Sequence, residues 1–167
     1  MVPWKSILSA AIILTMIAAP ASSDDLEDAV AAHQRGEYAT AFKLLRSLAN
    51  KGDVRTQSML GSMYLKGQGV AQNNVEAARW YRKAADQGDV KAQNNLGVIY
   101  YGGQGVPEDH VQAYKWFAIV ASTGNEQAGE NRDIVAKRMT PAQIAKAQKF
   151  AREWKPKKVK TNGDPTK

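Results

Sequence analysis

The 167-residue chain contains no cysteine. That excludes a disulfide framework, a cysteine-based zinc site, a thiol nucleophile and a lipid-modified N-terminal cysteine. Histidine is almost as scarce. His33 and His110 stand far apart, and neither has a second ligand at metal spacing. The nucleophile motifs Gly-x-Ser-x-Gly and Ser-x-x-Lys are missing, and Lys160-Thr161-Asn162-Gly163 is only superficially like a Lys-Thr-Gly element. Two Gly-Gln-Gly loops lack the third glycine, the Lys-Ser/Thr pair and the preceding strand of a phosphate cradle. No catalytic, metal-binding or cofactor-binding residue can therefore be named, and a non-enzymatic protein is expected.

Long apolar runs are also missing. The longest, Ile7 to Ala19, has 13 residues and stops at Pro20, short of the roughly 20 that cross a bilayer. Preceded by Lys5 and followed by Ala19-Pro20-Ala21, it reads as a secretory signal peptide over residues 1–21, cleaved near Ala21. The mature protein is then expected outside the cytoplasm, periplasmic or secreted. Lys and Arg number 23 against 16 Asp and Glu, giving +7. Removing residues 1–21 leaves 146 residues at +6, of which +4 falls in residues 152–167. The body is nearly balanced, and residues 155–167 read as a disordered basic tail. Such a tail suits attraction to an anionic lipid or polymer surface. Without interleaved aromatics, in an exported chain, it does not suit nucleic acid.

What the chain does have is a period of 36. Gly52, Gly88 and Gly124 keep that spacing, as do Ala41, Ala77 and Ala113, and Leu44, Trp80 and Trp116. Leu60-Gly61 and Tyr64 recur as Leu96-Gly97 and Tyr100, and Gly67-Gln68-Gly69-Val70 as Gly103-Gln104-Gly105-Val106. A gap-free period of this length is the mark of a repeat architecture. Each cycle decodes as two helices. In the second, Ala77, Trp80, Tyr81, Ala84 and Ala85 form one stripe, repeated by Ala113, Trp116, Phe117, Val120 and Ala121. That stripe makes Trp80 and Trp116 core residues rather than stacking platforms. Asn73 with Glu76, and Asp109 with Gln112, have capping-box spacing. Gly52 and Gly88 suit left-handed helix ends, and Asp53 and Asp89 then cap the next helices.

The first helix carries a glycine, Gly61 or Gly97, at a cost of about 1 kcal/mol relative to alanine. Its recurrence predicts close backbone approach between neighbouring helices. His110, in the first turn of a helix, is expected to be solvated. The units expected are an opening pair over 22–52, repeats at 53–88 and 89–124, and a degenerate repeat with a capping helix over 125–154. Thr140-Pro141-Ala142-Gln143 supplies the start of that last helix.

Ala92-Gln93-Asn94-Asn95-Leu96-Gly97-Val98-Ile99-Tyr100, the Gly-Gln-Gly-Val loop, and Ala77, Trp80-Tyr81 and Lys83-Ala84-Ala85 together resemble the Sel-one-like repeat (SLR) family, a relative of the tetratricopeptide repeat. The likeness covers about residues 38–128. It implies an all-α, right-handed solenoid of antiparallel helix pairs whose concave face, lined by first helices, binds a protein partner. Family members commonly act as adaptors in signalling, envelope regulation or host contact, so a regulatory partner in the cell envelope is expected. Cysteine-rich relatives have been linked to β-lactam hydrolysis, and this cysteine-free chain departs from them. Positions that vary between the two best first helices are Arg55, Ser58, Ser62 and Leu65, equivalent to Lys91, Asn94, Val98 and Tyr101. Offsets of 0, 3, 7 and 10 put them on one helical side, the expected partner-binding strip.

Overall fold

The computed structural model describes residues 23–157. Among them are eight helices and no strands: α1 (Ser23–Gln34), α2 (Tyr38–Asn50), α3 (Val54–Lys66), α4 (Asn74–Asp86), α5 (Val90–Gly102), α6 (His110–Ala121), α7 (Glu126–Ala136) and α8 (Pro141–Glu153). From α1 to α7 each helix packs on its neighbours in sequence, building an all-α helix-pair solenoid. α3 and α5, first helices of successive repeats, also touch directly. α8 leaves the series and packs on α6. The signal-peptide reading, and residues 158–167 of the tail, lie outside the described residues. No helix among the described residues is long and apolar enough to cross a membrane.

The helix boundaries follow from short-range chemistry. The Asp53 carboxylate accepts from Thr56 N–H at 2.8 Å, Asp89 from Ala92 at 2.7 Å, and Asn125 from Ala128 at 2.9 Å. Asn73 and Asp109 do the same for Glu76 and Gln112, both at 3.0 Å. Each satisfies one of the amide donors left orphaned at a helix start. At these last two caps only half of the expected box forms. The Glu76 side chain turns outward to Arg79, 2.6 Å away, and that hydrogen bond holds its carboxyl below the ordinary range. The complete box is at α8, where Thr140 Oγ1 accepts from Gln143 N–H and Gln143 Oε1 accepts from Thr140 N–H. Gly52, Gly88 and Gly124 end α2, α4 and α6 at φ of 100°, 99° and 90°.

The stripe residues are the core. Ala77, Trp80, Tyr81, Ala84 and Ala85 are buried on α4, and Ala113, Trp116, Phe117 and Val120 on α6. Three adjoining clusters run along the solenoid, centred on Leu45 and Leu60, on Tyr81 and Leu96, and on Phe117 and Val135. Gln57 and Gln93 are buried among them. Each donates from Nε2, at 3.1 Å, to the carbonyl of Ala49 or Ala85 near the end of the preceding helix. Those carbonyls also accept from the Gly52 and Gly88 N–H groups, at 3.1 and 3.0 Å, so the pairing chiefly satisfies the glutamine amide, whose burial unpaired would cost about 1–3 kcal/mol.

The recurrent helical glycines answer to a ring, not to a neighbouring backbone as expected. A Cβ on Gly97 would lie 2.7 Å from the Phe117 ring, and one on Gly61 would lie 2.9 Å from the Tyr81 ring. Close backbone approach occurs instead in the loops. Gly105, at φ 76°, lies so near the start of α4 that a Cβ would fall 2.3 Å from the Asn74 carbonyl carbon. Gly69 stands in the same relation to Tyr38. These loops are thus the seam between successive repeats as well as the turn within one.

The start of the tail is docked rather than loose. Trp154 meets Trp116 edge-on at 6.1 Å. Lys157 N–H donates to the Asp86 carbonyl at 2.7 Å, and its Nζ lies 2.8 Å from Asp86 Oδ2. Lys155–Lys157, expected as disordered, therefore lie against the end of α4. The indole of Trp154 supplies the apolar anchor that the polar tail itself lacks.

Candidate partner-binding surface

The eight strip residues predicted from sequence do not share one environment. Arg55 is exposed near the start of α3. Ser58 donates its hydroxyl to Asp89 Oδ1 at 3.0 Å, tying α3 to the N-cap of α5. The hydroxyls of Ser62 and Tyr81 are hydrogen-bonded, and Leu65 is half-buried against the central cluster. Burial is the larger influence on the Tyr81 phenol, which it pushes up; the bonds to Ser62 and Asn95 pull the other way. The α3 half of the strip is thus largely spent on holding α3 to α4 and α5.

The α5 half is different. Lys91 and Asn94 line a depression of about 360 Å³ that also includes Asn125 and Gln127 from the α7 side. Val98 and Tyr101 line a smaller apolar notch of about 120 Å³, closed by Phe117, Asn131, Ile134 and Val135. A polar and an apolar hollow therefore lie between α5 and α7. Val90, Val98 and Ile134 are three of the four large hydrophobic side chains exposed among the described residues, at 41 %, 44 % and 48 %. All three belong to α5 or α7. Tyr101 contacts the Arg138 guanidinium, 5.0 Å from the centre of its ring, and the His110 ring at 5.8 Å. His110 is not solvated as expected. It is largely buried, with Nε2 2.9 Å from Glu108 Oε1.

The α7 residues were missed from sequence because α7 departs from the repeat pattern. The signal was nonetheless there: Ile134 is Val98 shifted by the period of 36. α7 also carries Gly129 where the earlier first helices carry the buried Gln57 and Gln93. Among the described residues no group of three or more His, Asp or Glu could hold a metal.

Helix pairs in tandem, with hollows between successive first helices, define a repeat scaffold. Residues 54–89 and 90–124 match the Sel1 repeat family. Those two segments are Sel1 repeats, relatives of the tetratricopeptide repeat, and the chain has an SLR-type fold. It is similar to a protective antigen of uropathogenic Escherichia coli strains that displays an SLR fold, at 35 % identity and a TM-score of 0.73 over 78 % of this chain. It is also similar to a Sel1 repeat protein from Oxalobacter formigenes, at 26 % identity and 0.63 over 81 %. The matches span 29 % and 56 % of those two chains. No curated protein matches. Family and fold are characteristically those of scaffolds for protein–protein contact, without catalysis.

Proposed function

We propose that this chain is an exported adaptor that holds a segment of an envelope protein in the groove between α5 and α7, on the concave side of the solenoid. The observation that carries this reading is the exposure of Val98 and Ile134 at one apolar notch, beside the polar hollow that Lys91 and Asn94 line. Contiguous exposed apolar surface with a polar rim marks interaction sites. An apolar side chain of the partner fills the notch between Val98 and Ile134, and an acidic or carbonyl group meets Lys91 and the carboxamides of Asn94, Asn125 and Gln127. The 13-residue apolar run before Pro20 supports the exported setting, with a mature start near Ser22.

The test is capture of the partner from an envelope fraction, followed by affinity measurement on the purified pair. Val98→Asp and Tyr101→Ala should each weaken binding by about 1–2 kcal/mol or more, with melting almost unchanged for Val98→Asp. Arg79→Ala, on the second helix α4, should bind as the wild type does. Loss of binding in Arg79→Ala with full retention in Val98→Asp would place the partner on the second helices instead. An intact mass that still includes Met1 in the membrane fraction would refute cleavage near Ala21.

A further inference from the structure

A second cavity lies elsewhere, under α8. In the earlier second helices the outward positions are polar: Arg46, Ser47 and Asn50 on α2, and Arg82, Lys83 and Asp86 on α4. One period on, α6 carries Ala118, Ile119 and Ser122 at those places. α6 is the second helix that α8 covers, which accounts for the change. Yet α8 does not fill the space. Only Ala147 of α8 is buried, and a cleft of about 750 Å³ remains between α6 and α8. That is within the ordinary size of a small-molecule site, about 300–1,000 Å³.

Its walls are Val90, Tyr114, Ile119, Ala151, Trp154 and Pro156. Arg132 from α7 and Arg152 from α8 also line it, and no acidic side chain does. Arg132 is shared with Asp133, 2.7 Å away, whereas Arg152 has no salt bridge among the described residues. One end is strapped by Trp154–Lys157, pinned to Asp86 at 2.8 Å. The geometry points to a site for a small amphiphilic anion: a single unbranched apolar chain lies along Ile119, Ala151 and Trp154, and its carboxylate meets Arg152 and Arg132. Aromatic and aliphatic walls accept the chain, and a guanidinium fork matches a planar carboxylate.

Sodium dodecanoate below its micelle concentration is the probe, titrated into the purified full chain with tryptophan emission and calorimetry as readouts. Saturable 1:1 binding is expected, with dodecanol at least tenfold weaker. Arg132→Gln combined with Arg152→Gln should erase that preference while leaving dodecanol binding in place. Ala151→Phe, which puts a ring in the path of the apolar chain, should weaken both at least tenfold, with helicity by circular dichroism checking that the variant is folded. Val98→Asp, in the α5–α7 groove, should bind dodecanoate normally, so the outcome is independent of the partner-binding reading. No saturable binding to the folded wild type would overturn the proposal, as would binding unaffected by Ala151→Phe. Binding of a peptide with an apolar C-terminal residue in the absence of dodecanoate binding would overturn it too.

Discussion

The repeats α3–α4 and α5–α6 share a backbone plan and differ in what they show to their surroundings. Asp53 and Asp89, Gln57 and Gln93, Gly61 under Tyr81 and Gly97 under Phe117 hold equivalent places and do equivalent work. Outside this frame the two diverge. The first-helix surface of α3 is tied to its neighbours through Ser58 and Ser62, whereas α5 faces the polar and apolar hollows. The outer face of α4 is charged, whereas that of α6 is apolar and lies under α8. A repeat frame thus fixes geometry with few positions and leaves the remainder free to specialise.

The strongest challenge to this comparison is the shared tryptophan. Trp116 is fully enclosed and Trp80 nearly so. Replacement of either by alanine should cost about 3–5 kcal/mol through lost burial and a residual cavity, measured by urea unfolding. Unequal costs, with one variant near wild type, would break the equivalence of the two repeats.

A second contrast sets two helical glycines against each other. Gly97→Ala should destabilise by about 1–3 kcal/mol, because the Phe117 ring must move from a Cβ that would sit 2.7 Å away. Gly129→Ala should stabilise by about 0.5–1 kcal/mol, because nothing lies within 4 Å of the added methyl and helix propensity improves. Thermal melts of both variants decide whether α7 has lost the frame as the structure indicates.

The smallest expected effect concerns charge. Arg79 of α4 pairs with Glu76, but its equivalent Lys115 faces Gln112 in place of the acid. Burial lowers the Lys115 amine below its usual range, with the Arg82 charge acting in the same direction. A folded-state value below the unfolded 10.5 means that the unfolded chain binds the proton more tightly. This lysine's contribution to stability therefore rises with pH between the lowered value and 10.5. Gln112→Glu restores the acid three residues before the lysine and near the positive end of α6. It should add about 0.3–0.5 kcal/mol at neutral pH and low salt. It should also flatten the rise towards pH 10.5. Melting curves across that range, with and without added salt, measure both effects.

Most of the local architecture was legible in the sequence because it depends on residues no more than eight apart. The caps at Asp53, Asp89 and Asn125, the box at Thr140, the glycine helix ends and the tryptophan stripe are each a short pattern repeated at 36. The contacts that Ser58, Ser62 and Leu65 make were not legible. Whether Ser58 faces solvent or bonds to Asp89, 31 residues away, depends on how closely α3 approaches α5.

By itself the sequence determined a cysteine-free, all-α, tandem-pair chain whose turns and core positions recur. Those features follow from hydrogen-bond satisfaction and side-chain burial within single helices and their turns. Only the tertiary structure decided that Val98 and Ile134 border one notch, that α8 lies across α6, and that Lys157 meets Asp86, 71 residues away. No local pattern encodes those pairings. They arise from how helices far apart in sequence pack on one another, and from the apolar face of α6, which α8 covers incompletely.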